Sequence, residues 1–132
     1  MAQFKGVNIY KPILWAILIF VLSVIPGDKI DSVNPWKIPH IDKVVHIGLY
    51  FIFALFLLPV FIKRFKSYFY SVLTTFLIAA FYGGMLELAQ EHLFQKRSQD
   101  LWDFISNVSG ILIGIIVFPY LNKRKWFQKL TG

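Results

Sequence analysis

The chain has 132 residues, one domain's worth, and no cysteine, which removes a disulfide scaffold and a cysteine-based zinc site. It is 57% hydrophobic and 18% aromatic, above what soluble domains carry, and this puts it in the membrane class. A net charge of +7 suits nucleic acid in other settings, but here Lys and Arg gather at the ends of apolar runs, as in membrane proteins, and nucleic-acid binding is set aside.

The first apolar run, Ile13 to Ile25, is short for a hydrocarbon layer about 30 Å thick, which takes about 20 residues. Extended back to Ile9 it makes a span over about 9–25, ended by Pro26-Gly27. A signal peptide is the rival reading, since Lys5 and Lys11 precede the run. Ser23-Val24-Ile25 is a poor small-residue cleavage site, which favours an uncleaved helix. Gly27 to Ile41, with Pro35 and Pro39, reads as a loop in which Trp36 is an interfacial anchor. The second helix is expected over about 43–62, the third over about 67–94 and the fourth over about 100–121. Each is long enough to span, and backbone satisfaction in lipid makes all four helical.

Lys5, Lys11, Lys63, Arg64, Lys66, Lys123, Arg124, Lys125 and Lys129 fall on one side of a four-span arrangement. Lys29, Lys37, Lys43, Lys96 and Arg97 fall on the other, with all seven acids. Nine against five predicts both termini inside, and an extracytoplasmic face bearing the acids and histidines. The tail Lys123-Arg124-Lys125-Trp126-Phe127 reads as a basic-aromatic anchor on the anionic inner leaflet. The expected fold is therefore an all-α, multi-pass membrane domain over residues 1–132, with a polar cluster near its outer face.

Three short patterns make up that cluster. Asp42 and His46 share a face at the start of the second helix, with Lys43 beside them. Asp42 has a plainer use as a helix cap, stabilised by the helix dipole, and a lone buried histidine is usually structural. Glu87, Gln90 and Glu91 form one stripe on the third helix, just after Gly83 and Gly84, which allow close helix approach. Glu87 follows almost twenty largely apolar residues; an ion pair with Arg97 or Lys43 is its plain alternative to a functional role. Asp100, Asp103, Asn107, Gly110 and Gly114 then step by three and four along one face of the fourth helix. Gly110 and Gly114 are a helix-packing pair, Asp100 has a cap role open to it, and Asn107 a role as interhelical glue. Polar side chains within a membrane face the bundle interior or a water-filled cavity. His46, Glu87, Gln90, Asp103 and Asn107 are thus expected to converge on one outward-opening pocket, with Lys43 and Arg97 at its mouth.

The series Asp42-Lys43-x-x-His46, Glu87-x-x-Gln90 and Arg97-x-x-Asp100-x-x-Asp103-x-x-x-Asn107-x-x-Gly110 resembles the VanZ-like family, from about Asp42 to Gly114. That resemblance implies a small multi-helix protein of the bacterial cytoplasmic membrane. The family's founding member is associated with low-level resistance to the glycopeptide teicoplanin. The residues leave three functions open. In the first, the pocket binds an amphiphile such as a lipid-linked precursor, a phospholipid or a lipoglycopeptide, with Lys43 and Arg97 on a phosphate or carboxylate and Asp42, Gln90, Asp100 and Asn107 lining it. In the second, His46, Glu87 and Asp103 are catalytic, as general base and acid or as ligands of a divalent metal. No metal-ligand spacing such as HExxH accompanies them. In the third, the polar network only locks helices together.

Overall fold

The computed structural model describes residues 8–25, 32, 39–93 and 101–132. Among them the chain is all-helical: α1 is Tyr10–Val24, α2 Ile41–Arg64, α3 Tyr68–Leu93, α4 Leu101–Leu121 and α5 Lys125–Thr131. Helices α2, α3 and α4 are each long and apolar enough to cross a membrane. Their outer faces remain apolar, with Phe81, Trp102 and Ile116 largely exposed, as befits helices whose surroundings are hydrocarbon rather than water.

Helix α1 has 15 residues, about 22 Å at the helical rise and so shorter than a full span. It nevertheless runs from one end of the bundle to the other. At its start, Lys11 Nζ donates to the carbonyls of Leu130 (2.6 Å) and Gly132 (2.7 Å). At its end, Ser23 O accepts from Gln90 Nε2 at 2.9 Å. Between these, Trp15 Nε1 donates to Leu49 O and the Tyr82 hydroxyl to Ala16 O. The N-terminal part of α1, the α2–α3 turn and α5 thus share the basic end. The starts of α2 and α4 and the ends of α1 and α3 share the acid-bearing end.

The bundle is built around α2. Tyr50, Phe53, Ala54 and Leu57 of α2 pack with Ile19 of α1, Ala79 and Leu86 of α3, and Ile111 of α4. Helix α3 turns a buried line of small residues inward, Ser71, Thr75, Ala79 and Gly83, one turn apart. A Cβ on Gly83 would come 3.2 Å from both the Tyr50 hydroxyl and Asn107 Nδ2. The approach of α4 to α2 is closer still. A Cβ on Gly110 would collide with the Ile47 carbonyl oxygen, and one on Gly114 would lie 2.8 Å from Phe51 O. Backbone meets backbone there because neither glycine carries a side chain. Gly84 differs: its Cβ would find only Phe104, at an ordinary 3.4 Å.

The helix limits fall within two residues of those expected, and α2 is longer at both ends. Its N-cap is His40, in the left-handed region (φ 58°), with no side-chain cap, so Asp42 sits in the first turn rather than at the cap. The basic-aromatic tail is itself helical. It folds into α5, and Phe127 turns inward against Phe118, Leu55 and Leu58, leaving Trp126 and the basic side chains outside. Burying one phenylalanine against an apolar cluster is worth about 2 kcal/mol, enough to hold a single short helix in place.

Candidate functional site

Three helices each contribute one polar side chain to a network at the acid-bearing end. His46 Nδ1 of α2 lies 2.8 Å from Asn107 Oδ1 of α4, and Asn107 Nδ2 donates to Glu87 Oε1 of α3 at 3.1 Å. His46 Nδ1 and Glu87 Oε1 are themselves 3.8 Å apart. An ionised Glu87 only accepts hydrogen bonds, so it takes the amide nitrogen and turns the amide oxygen toward His46. That oxygen can only accept, so the imidazole must carry a proton on Nδ1. Asn107 is completely buried and Glu87 only 6% exposed; unpaired polar groups at such depth would be expensive.

Next to this network, Lys43 Nζ lies 3.1 Å from Asp103 Oδ1 and 3.3 Å from Asp42 Oδ2. Asp103 is 7% exposed and one turn before Asn107 on α4, so the ion pair and the amide network stack along one helix face. Lys43 is therefore not an open cation at a pocket mouth: two carboxylates already hold it. Among the described residues Asp42, Glu87 and Asp103 outnumber it.

Of the expected constellation, His46, Glu87 and Asn107 meet directly, and Asp42, Lys43 and Asp103 form the adjoining charge cluster. Gln90 does not join them. It is buried but donates to Ser23 O, and so fastens the end of α1. Arg97 and Asp100 lie outside the described residues. Glu91 and His92 form a loose pair at 3.9 Å on the exposed end of α3. Gly83, Gly110 and Gly114 stand where neighbouring groups press close, as described above. Tyr50 was not among the expected residues, although it lies one turn from His46. Its hydroxyl is directed to the space beside Gly83 and Asn107. Ser23 was also missed; it engages Gln90 through its backbone carbonyl, and no side-chain pattern signals that.

Among the described residues these side chains pack against one another, with an opening on either side. One is a cleft of about 190 Å³ between α1 and α2, lined by Leu22, Ser23, Asp42, Val45, His46 and Leu49 among others. The other is a groove of about 760 Å³ between α3 and α4, walled by Leu77, Phe81, Met85, Leu88, Leu101 and Phe104, with Glu87 also in its lining. Among the described residues no group of three or more His, Asp or Glu side chains is placed to hold a metal ion. No family profile, curated protein or solved structure matches the chain.

Proposed function

We propose that this chain is a VanZ-like protein of the bacterial cytoplasmic membrane that binds an amphiphile at its extracytoplasmic end. The observation that carries this reading is Glu87, a buried acidic residue in the lining of an otherwise apolar groove between two membrane-length helices. An ionisable group in such a place is costly to keep and points to function. The acyl chain lies along Leu77, Phe81, Met85 and Leu88, and a hydroxyl- or amine-bearing head group donates to the carboxylates at the acid-bearing end. Lipid-linked precursors, phospholipids with amino or hydroxyl head groups and lipoglycopeptides all have this form. A contribution to teicoplanin resistance follows from the resemblance to VanZ-like proteins. Native mass spectrometry of the purified protein tests the reading. Wild type is expected to retain a bound amphiphile that Glu87→Gln, still folded, loses; a wild type that carries no lipid under gentle detergent removal would sink it.

The same proposal takes α1 as a fourth span, with both termini cytoplasmic. Support comes from the end-to-end course of α1 and from Lys11, Lys63, Arg64, Lys66, Lys123, Arg124, Lys125 and Lys129 lying at one end, away from Asp42, Glu87 and Asp103. A reporter fused after Lys129 is expected to be active in the cytoplasm, and an extracytoplasmic signal would overturn the arrangement.

A second reading, a hydrolase or transferase acting on an envelope lipid, draws on the geometry of His46. Its ring is oriented by Asn107 and lies 3.8 Å from Glu87, as a positioned general base would be. Turnover of an envelope lipid by wild type but not by a folded His46→Ala variant would favour it over simple binding.

A further inference from the structure

We infer that the cleft between α1 and α2 is a second ligand site, specific for the free hydroxyl group of a membrane-dissolved amphiphile, with His46 Nε2 as the acceptor. This site is separate from the α3–α4 groove and does not depend on what fills that groove.

The inference starts from the tautomer. Glu87 orients the Asn107 amide, and the amide oxygen holds the imidazole proton on Nδ1. With its single proton on Nδ1, the ring presents a lone pair at Nε2, on its far side. Nδ1 faces the network, and His46 also lines the cleft, which leaves Nε2 as the ring nitrogen we assign to it. Among the described residues Nε2 has no hydrogen-bond partner.

The other polar side chains on the wall narrow the chemistry further. Ser23 already donates its hydroxyl proton to Ile19 O at 2.7 Å. Asp42 is an acceptor and is held by Lys43. Tyr50 turns its hydroxyl toward Gly83, on the α3 side. The remaining wall is Ile19, Leu22, Ile25, Val45 and Leu49. Such a cleft wants an apolar body with a hydrogen-bond donor. An amine would compete with Lys43 for Asp42 and carry a charge past apolar walls; a neutral hydroxyl has neither cost. The volume, about 190 Å³, exceeds that of a cavity known to admit benzene, and so holds the hydroxyl-bearing end of a chain rather than a whole lipid.

Two measurements on the full-length protein in nanodiscs test this. Long-range 15N–1H spectra of histidine-labelled protein, with His46 assigned by its loss in His46→Phe, are expected to show a protonated Nδ1 and a pyridine-type Nε2. A ring protonated at Nε2, alone or with Nδ1, overturns the inference. The second uses a diazirine-bearing long-chain alcohol and its methyl ether, which keeps the shape but lacks the donor. The alcohol is expected to label peptides carrying Leu22 or Val45 about fivefold more strongly at subsaturating concentration, the worth of one hydrogen bond. His46→Phe is expected to bring the alcohol down to the ether's level. Equal labelling by the two probes in wild type overturns the inference even where the variant fails to fold. Labelling of Phe81 and Leu88 peptides reports the groove separately, so loss of one site is distinguishable from loss of the other.

Discussion

Gly110→Ala is expected to destabilise the bundle by on the order of 3 kcal/mol or more and to lower its unfolding midpoint in detergent sharply. The added methyl would collide with the Ile47 carbonyl oxygen and lie 3.0 Å from Phe51 N. Both are backbone atoms, so no rotamer change relieves the contact. Helix α4 would have to move away from α2, which separates Asn107 from His46 one turn away and loosens Ile111 from the core. Gly84→Ala and Gly48→Ala are the matched controls. The first meets only the Phe104 ring at 3.4 Å and the second meets nothing within 4 Å. Alanine's better helix propensity, worth up to about 1 kcal/mol, should leave both at or slightly above wild-type stability. Thermal unfolding followed by circular dichroism compares all three. Similar midpoints for the Ala variants at 110 and 84 would mean that α4 does not approach α2 as described.

The contrast among these glycines shows where the sequence was readable. A three-four stepping pattern is a geometric statement about one helix, and Asp103, Asn107, Gly110 and Gly114 do share the face that meets α2. Gly83 and Gly84 looked equivalent because nothing in a Gly-Gly pair says which residue faces inward; only Gly83 meets Tyr50 and Asn107. Gln90 was placed with Glu87 because residues three apart are neighbours on a helix. They are nevertheless rotated by about 60°, enough for one to reach α4 and the other α1. The position of α1 was the least legible feature. Side-chain donors reach it through the carbonyls of Ala16 and Ser23, and every residue carries a carbonyl. The sequence offers Lys43 a place at the pocket mouth or an ion pair with Glu87; its pair with Asp103, sixty residues away, exists only once α2 and α4 are side by side.

Replacing Asn107 by leucine is expected to cost about 3 kcal/mol, although leucine is close in size and better suited to hydrocarbon. The loss does not come from the asparagine itself. It comes from what is left behind: Glu87 Oε1 loses the amide donor and His46 Nδ1 the amide acceptor, at a depth where Asn107 is fully buried. Removing one partner of a buried polar pair leaves the other short of a hydrogen bond, whereas removing both costs less. Asn107→Leu combined with Glu87→Leu should therefore recover part of the stability lost by Asn107→Leu alone, a non-additivity measurable in a double-mutant cycle. Recovery of the fold without recovery of a bound amphiphile would then separate two uses of Glu87. Its hydrogen bond to Asn107 would be a matter of stability, and its carboxylate in the groove a matter of function. If the double variant were no more stable than Asn107→Leu, the bond between Asn107 and Glu87 would not be the one that holds α3 to α4 at this end. The tautomer of His46 depends on the same amide. In Asn107→Leu the ring loses the acceptor at Nδ1, so its proton is no longer confined there, and the preference for an alcohol over its ether in the α1–α2 cleft should fall with it.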